Sequence, residues 1–158
     1  MPHTHPAVRL IFLADDDEDD CILFHDALEE CCTNYKLVIA RNGQQLMDLL
    51  KQSNQTPDLL FLDLNMPLKN GFECLGEIKQ DLELQHIPVI IFSTTAQENA
   101  IDETFKAGAH LYICKPNDFS KLREVIEKIL SLEWKKKILP FPREKYVHLN
   151  GLLQNFFL

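Results

Sequence analysis

The sequence lacks any apolar run close to the about 18 residues that a membrane-spanning helix needs. Its N-terminus, MPHTHPAV, lacks both the basic start and the apolar core of a secretion signal. Basic residues are also in the minority, because 16 Lys and Arg face 24 Asp and Glu and leave a net charge of −8. Such a surface repels the phosphates of nucleic acids and anionic membranes. We therefore expect a cytoplasmic protein that binds neither nucleic acid nor membrane.

Several sequence motifs that mark functional sites are absent as well. The five cysteines form no C-x-x-C pair and lie mostly in apolar segments, which favours reduced core thiols over disulfides or metal ligands. The six histidines match no ligand spacing. No G-x-G-x-x-G follows the first apolar run, which disfavours a dinucleotide-binding fold. No helix-turn-helix pattern or basic patch follows Leu132, so we do not expect direct control of transcription.

The hydrophobic pattern alternates between strand-like runs and helix-like stripes along 158 residues, a length that fits one ordinary domain. The predicted strands are Ala7–Ala14, Tyr35–Ala40, Pro57–Leu64, Ile87–Thr94 and Ala109–Cys114. Several of them lack polar alternation, which is typical of strands buried on both faces. The sequence therefore predicts an α/β fold, a doubly wound five-stranded parallel sheet with helices on both faces.

Helical spacing predicts five helices between and after these strands. Their predicted apolar stripes include Leu23, Phe24, Ala27 and Leu28 after the first strand, Phe72, Leu75, Ile78 and Leu82 after the third, and Leu122, Val125, Ile126 and Ile129 from about Asp118. Gly108 is placed to end the helix that starts near Gln97. We assign residues 7–132 to one domain and 133–158 to a C-terminal extension. The extension ends in LLQNFFL, which has to pack on the domain or on a second copy, so a homodimer is one expectation.

Polar residues lie at or just after the carboxyl ends of four predicted strands, the edge where such sheets bind ligands. They are Asp15, Asp16, Asp63, Asn65, Ser93, Thr94 and Lys115. Three carboxylates packed together repel one another and require a counter-charge. A divalent cation with oxygen ligands fits this need, and Mg²⁺ (or Mn²⁺) suits a site of carboxylates, waters and phosphate oxygens.

The same set of residues fits phosphoryl transfer. Asp63 lies at the end of the apolar run LLFLD and is the natural nucleophile, because a carboxylate can attack a phosphoryl group and form an acyl phosphate. Lys115 can pair with the added phosphoryl oxygens, and a hydroxyl can hydrogen-bond another. Ser93 and its neighbour Thr94 both offer that hydroxyl, and the strand register favours Ser93.

Four motifs occur in order: LADDD, FLDLNMP, IIFST and YICKP. Together they resemble the receiver domain of two-component response regulators, in particular the stand-alone type typified by the chemotaxis response regulator. The resemblance covers about Val8 to Leu132 and implies the flavodoxin-like receiver fold. It also implies a phosphoprotein that accepts a phosphoryl group from a histidine kinase or phosphotransfer protein and signals to an output protein by direct contact. It further implies that the protein is not an enzyme, apart from slow self-phosphorylation from small donors and slow self-dephosphorylation.

The resemblance also assigns roles to individual residues. By this resemblance, Asp15 and Asp16 are the acidic metal-binding pair, and Asn65 is a metal ligand through its backbone carbonyl. Asp63 is the phosphoacceptor and a further metal ligand. Ser93 and Lys115 take the family's hydroxyl and lysine places, Tyr112 takes its aromatic switch place, and Pro116 carries a cis peptide bond. Asp17–Asp20 are left to open the following helix, where acidic residues favour the helix dipole.

Two other functions compete with this interpretation. A phosphatase of the haloacid-dehalogenase type also uses an aspartate nucleophile, but its motif at that point is D-x-D. Here Asp63 is followed by Leu64 and Asn65, so the second carboxylate is absent. A pseudo-receiver that works without phosphate commonly lacks one site residue, whereas this set is complete. Tyr112 also has a plain structural explanation, since an aromatic residue in a strand is more often core packing.

Overall fold

The computed structural model describes residues 10–52, 54, 56–132, 134 and 141–148. Its strands are β1 Leu10–Ala14, β2 Lys36–Ala40, β3 Leu59–Leu62, β4 Val89–Ser93, β5 Leu111–Cys114 and β6 Val147–His148. Its helices are α1 Glu18–Cys31, α2 Gly43–Gln52, α3 Gly71–Gln80, α4 Glu98–Lys106, α5 Phe119–Ser131 and α6 Arg143–Tyr146. The start of the first predicted strand and the apolar end of the extension, on which the homodimer expectation depends, lie outside the described residues.

The strands form one sheet in the order β2-β1-β3-β4-β5-β6, and every neighbouring pair is parallel. Two apolar clusters cover its faces. Alternate residues of β1 point to opposite clusters, Phe12 to the one that contains α2, α3 and α4, and Leu13 to the one that contains α1 and α5. The predicted doubly wound parallel sheet with helices on both faces is therefore confirmed, and its β1–β3 switch point lies at the centre of the edge where such folds bind ligands.

Three phenylalanines support this edge from within the core. Phe24 of α1 packs edge-on against Phe61 of β3 and Phe92 of β4, with ring centroids 4.9 and 5.8 Å away. Edge-to-face pairs of this kind contribute about 0.5–1.5 kcal/mol beyond area burial. The ends of β3 and β4 are thereby fixed relative to the start of α1.

Helix ends follow the predicted signals. Asp17 caps α1 by accepting the Asp20 N–H, and Asp118 caps α5 by accepting the N–H groups of Ser120 and Lys121. Gly108 takes a φ of 98° directly after the last turn of α4, which confirms its predicted role. A residue without a Cβ adopts this left-handed conformation with little strain.

Two predicted core residues are wrong. Leu82 is 83% exposed, because α3 ends at Gln80 and the Asp81 cap breaks the helical register before Leu82 is reached. Leu23 is 44% exposed, because Cys21, Phe24 and Leu28 set the buried face of α1 and their stripe points Leu23 toward solvent.

Among the described helices, none is both long enough and apolar enough to cross a membrane.

The sixth strand was not predicted. After α6, Val147 and His148 pair in parallel with Tyr112 and Ile113 at the edge of β5. The extension therefore lengthens the predicted five-stranded sheet by one short strand. Its described part packs on the same domain as the residues before it.

Candidate functional site

Backbone hydrogen bonds pair the ends of five strands, β1 to β5, at one edge of the sheet. The Asp15 N–H donates to the Ala40 carbonyl at 3.0 Å, and the Asp63 N–H donates to the Ala14 carbonyl at 3.0 Å. The Lys115 N–H donates to the Ser93 carbonyl at 2.9 Å. These bonds extend the parallel ladders by one residue, so the strand register itself delivers the polar side chains to one place.

The Lys115 ammonium lies at the centre of this place. Its Nζ donates to Asp15 Oδ2 at 2.7 Å, to Asp20 Oδ2 at 2.8 Å and to Asp63 Oδ2 at 3.1 Å. An ammonium has three N–H donors, so all three have a carboxylate partner. The structure thus brings Asp15, Asp63 and Lys115 together as the sequence predicts, and it adds Asp20.

Burial governs the electrostatics of these groups. Desolvation raises the pKa of Asp15 to about 6, against the lowering effects of Lys115 and of the Asp17 N–H. Desolvation acts to lower the pKa of Lys115, but its hydrogen bonds to Asp15 and Asp20 and the charge of Asp63 outweigh that effect and raise it. The lysine therefore stays charged at neutral pH. Burial destabilises the ionised form of Asp15, and additional positive charge nearby would stabilise it.

Carboxylate oxygens of Asp15, Asp16 and Asp63 lie within 4.8 Å of one another. Magnesium binds oxygen at about 2.1 Å in an octahedron, which puts neighbouring and opposite ligand oxygens about 3–4 Å apart. Small side-chain movements bring this donor set to that geometry, and the hard oxygen ligands match the metal. Asp16 is the exposed member of the three, and its backbone carbonyl accepts a hydrogen bond from Arg41 at 3.0 Å.

The Asp63 carboxylate is held from two sides. Its Oδ1 accepts the Leu64 N–H at 2.7 Å, while its Oδ2 faces Lys115. The Asn65 N–H lies 3.5 Å from Asp63 Oδ1. The role of the Asn65 carbonyl as a metal ligand stays a prediction.

A glycine supports the loop that follows Asp63. A Cβ on Gly71 would lie 2.2 Å from the Asp63 carbonyl oxygen and 2.7 Å from the Leu64 Cα. The Gly71 N–H donates to the Leu64 carbonyl at 2.9 Å. The first turn of α3 thus packs directly against the backbone of the predicted phosphoacceptor, and only a residue without a side chain fits there.

Gly71→Ala should therefore lower the free energy of unfolding by about 1–3 kcal/mol, because backbone has to shift to make room for the methyl group. Gly76 lies on the same helix, and a Cβ there meets no described atom within 4 Å. Gly76→Ala is the matched control and should stabilise the protein by about 0.5–1 kcal/mol through helix propensity. Urea unfolding of both variants checks the pair. A Gly71→Ala variant as stable as Gly76→Ala would contradict this packing.

The hydroxyl and the aromatic residue lie next to the same edge. Ser93 is fully buried and its Oγ accepts the Thr95 N–H at 3.2 Å, whereas Thr94 is exposed. Tyr112 is also fully buried, and its hydroxyl donates to the Thr95 carbonyl at 2.6 Å. Burial raises the pKa of Tyr112 to about 12. Ser93 and Tyr112 are thus joined through the two backbone groups of Thr95.

The prediction of a cis bond before Pro116 is wrong, since the peptide bond between Lys115 and Pro116 is trans. The two isomers of a bond to proline differ by only about 0.5–1 kcal/mol, so tertiary contacts decide between them. A Lys-Pro dipeptide alone does not contain that information.

Sequence reasoning missed three contributors to the site, Asp20, Arg41 and Gly71 in the packing role described above. Asp20 was assigned to the helix start, which is correct for its backbone but omits its side chain, which reaches Lys115. The available signal was its place in the first turn of α1, since that turn begins beside the site.

Asp15 can be tested through the pH dependence of stability. Its folded pKa of about 6 exceeds its ordinary value of 3.8, so its contribution favours folding most below pH 4 and is lost as the pH rises through 6. The difference corresponds to about 3 kcal/mol at most. Without divalent cations, Asp15→Asn should therefore be more stable than wild type by about 1–3 kcal/mol at pH 7.5. This gain should shrink between pH 6 and pH 4.

Urea unfolding at several pH values measures this effect, and Asp16→Asn is the control because that side chain is exposed. Adding Mg²⁺ should stabilise wild type more than Asp15→Asn, since a ligand stabilises the state that binds it. An Asp15→Asn variant that is less stable than wild type at pH 7.5 would contradict the inference that burial destabilises the ionised Asp15 side chain.

The fold and this edge are those of receiver domains. The chain belongs to the response regulator receiver domain family, whose model matches residues 11–127. It is therefore a receiver domain of a two-component response regulator, which is a signalling domain.

Its relatives include small response regulators. Response regulator Rcp1 of Synechocystis sp. is 30% identical over 137 residues, which cover 84% of this chain and 93% of Rcp1. Polar-differentiation response regulator DivK of Brucella anthropi is 31% identical over 122 residues, which cover 77% of this chain and 96% of DivK.

Solved structures agree with this assignment. The phosphorylated cyanobacterial phytochrome response regulator RcpA superposes with a TM-score of 0.76 at 34% identity, over 85% of this chain and all of that one (100%). The Mn²⁺-bound form of Rcp1 superposes with a TM-score of 0.73 at 30% identity, over 84% of this chain and 99% of that one. The flavodoxin-like receiver fold expected from the sequence is confirmed.

Proposed function

We propose that this chain is a single-domain response regulator that accepts a phosphoryl group on Asp63 and signals by protein–protein contact. The donor is a histidine kinase or a phosphotransfer protein. The observation that carries the proposal is the contact of one nearly buried lysine, Lys115, with both Asp63 and Asp15 at the sheet edge. The relatives Rcp1 and DivK are response regulators that this chain matches over nearly their whole length, which supports a stand-alone protein.

The chemistry follows from the positions of these side chains. A carboxylate oxygen of Asp63 attacks the phosphorus of a phosphohistidine, or of a small donor such as acetyl phosphate. A new O–P bond forms as the bond from phosphorus to the donor breaks, and the donor group leaves with that electron pair. Lys115 pairs with an oxygen of the transferred group, and Ser93 donates its hydroxyl to another. Positioning and charge neutralisation of this kind are most of what phosphoryl transfer needs.

Asp15, Asp16 and Asp63 are the side chains that would hold the metal, together with the Asn65 carbonyl. Bound Mg²⁺ or Mn²⁺ supplies positive charge that neutralises these carboxylates and the phosphoryl oxygens. The Rcp1 structure is of the Mn²⁺-bound form, and the RcpA structure is of a phosphorylated protein. Both support the same chemistry for this chain.

Turnover is expected to be slow. Water can attack the phosphorus and release phosphate, returning the bonding electrons to the Asp63 carboxylate. Residue 65 is an asparagine, so a second carboxylate two positions after the nucleophile is missing and cannot act as the general base for that water. The protein is therefore proposed as a phosphoacceptor with slow self-phosphorylation and self-dephosphorylation, not as a phosphatase.

The signal would leave the site through Ser93, Thr95 and Tyr112. A phosphoryl group that recruits the Ser93 hydroxyl also pulls on the Thr95 N–H that this hydroxyl accepts. The Thr95 carbonyl accepts a hydrogen bond from the Tyr112 hydroxyl, so a displacement of Thr95 also displaces the Tyr112 side chain. A switch of this kind biases two existing arrangements through new contacts to the phosphate. The face of α4, β5 and α5 would then meet the output protein.

The test is incubation with acetyl phosphate and Mg²⁺, followed by intact-mass measurement. We expect one labile phosphoryl addition, its loss when EDTA replaces the metal, and its location in the peptide that contains Asp63. No addition to the folded protein would refute the phosphoacceptor role and favour a pseudo-receiver. Steady release of phosphate over many turnovers would instead indicate a phosphatase.

A further inference from the structure

Asp20 is the one carboxylate on Lys115 that the proposed phosphoryl chemistry leaves without a role. It lies in the first turn of α1, and its Oδ2 accepts from Lys115 Nζ at 2.8 Å, as close as the Asp15 contact at 2.7 Å. Lys115 itself is almost buried, with 9% of its side chain exposed. The pair is therefore a shielded, charge-assisted hydrogen bond rather than a loose surface contact.

The three partners of Lys115 differ in how easily they can release it. An incoming phosphoryl oxygen needs an N–H of Lys115, yet all three donors are already used. The Asp15 and Asp63 side chains are 1% and 9% exposed, so water has little access to take the place of the lysine at either carboxylate. The Asp20 side chain is 32% exposed, so water can replace the lysine there.

We propose that Asp20 is the exchangeable counter-ion of Lys115. It holds the ammonium beside Asp63 before phosphorylation and gives up its hydrogen bond to the phosphoryl group during transfer. Asp20 is thus a positioning residue that acts through Lys115 and restrains phosphoryl uptake. This inference rests on the proposed function, because it assigns Asp20 a part in the same transfer to Asp63.

The test compares Asp20→Asn with Asp19→Asn. Asp19 is an exposed neighbour in the same helical turn, so its change to asparagine alters the net charge by the same amount. An asparagine at position 20 still accepts a hydrogen bond, but more weakly, and Lys115 is released more easily. With acetyl phosphate and saturating Mg²⁺, Asp20→Asn should take up phosphoryl about 3 to 10 times faster than wild type, the effect of weakening one partly exposed charge-assisted bond. Asp19→Asn should stay within about twofold of wild type.

The sign of the change separates this role from the alternatives. If Asp20 only stabilised the fold, its replacement would lower the unfolding midpoint and slow uptake. If Asp20 served the metal through a water, calorimetry would show weaker Mg²⁺ binding and uptake would slow below saturation. Either result, or equal rates for Asp20→Asn and Asp19→Asn, overturns the proposal. Failure of the wild type to take up any phosphoryl group would refute the proposed function itself, and the role of Asp20 with it.

Discussion

Asp63→Asn is expected to abolish phosphoryl uptake completely while leaving the fold intact. An amide oxygen carries no charge and does not form a stable acyl phosphate, so the attack on phosphorus is lost. The substitution keeps the size of the side chain, and the Asn oxygen can still accept the Leu64 N–H that Asp63 Oδ1 now accepts at 2.7 Å. Intact mass after incubation with acetyl phosphate and Mg²⁺ should therefore show no addition, with an unchanged circular dichroism spectrum.

Asp16→Asn is the matched control for this experiment. It removes one of the three clustered carboxylates but keeps the nucleophile. Uptake should become slower and require more Mg²⁺, yet still reach one phosphoryl group per chain at Asp63. An addition to Asp63→Asn at the wild-type rate would mean that another carboxylate, such as Asp15, is the acceptor.

Much of the site could be predicted because the strand ends are encoded locally. The apolar run before Asp63 is buried along its whole length, and the first polar residue after it has to lie at the sheet edge. Asp15 likewise follows the fully buried β1, and Lys115 follows β5, which is buried except for its last residue. A parallel sheet then brings these ends together whatever the loops between them do. Their proximity is a consequence of topology, which hydrophobic periodicity contains.

The contacts that sequence reasoning missed depend on side-chain direction and on distant packing. Whether Asp20 points to solvent or to Lys115 is set by the rotation of α1 about its axis, which Phe24 fixes through its contacts with Phe61 and Phe92. The isomer of the bond before Pro116 is set by tertiary contacts. The two isomers differ in free energy by only about 0.5–1 kcal/mol, and local sequence does not decide so small a difference. The short extension offered neither helical nor strand periodicity of useful length, so its place in the sheet was not predictable.

Tyr146→Ala is the second substitution with a large expected effect. Tyr146 of α6 is fully buried, its ring centroid lies 5.1 Å from that of Phe105 and 6.2 Å from that of Tyr112, and its hydroxyl donates to Thr104 Oγ1 at 2.8 Å. Removing a buried aromatic side chain lowers the free energy of unfolding by about 3–5 kcal/mol when a cavity remains. Because α6 and β6 are short, we expect the segment 141–148 to detach, which limits the loss to about 3 kcal/mol.

Detachment can be separated from a simple loss of packing. Arg143 pairs with Asp102 and Glu98 of α4, but these contacts are partly exposed and hold the segment weakly without the ring. Trypsin should therefore cut Tyr146→Ala after Arg143 under conditions where wild type resists. Tyr146→Phe is the control: it keeps the ring, loses one hydrogen bond worth about 1 kcal/mol, and should resist trypsin like wild type.

Loss of the Tyr146 ring is also expected to affect Tyr112, the predicted switch residue. Tyr112, which takes the aromatic switch place by resemblance, is fully buried in this structure. Its hydroxyl is held by Thr95 on one side, and its ring is covered by Tyr146 on the other. The segment 141–148 therefore favours the buried arrangement of Tyr112. In Tyr146→Ala, amide exchange in β5 should accelerate, because its edge loses the pairing of Tyr112 with Val147. Unchanged exchange and unchanged trypsin resistance would show that Tyr146 does not hold this edge.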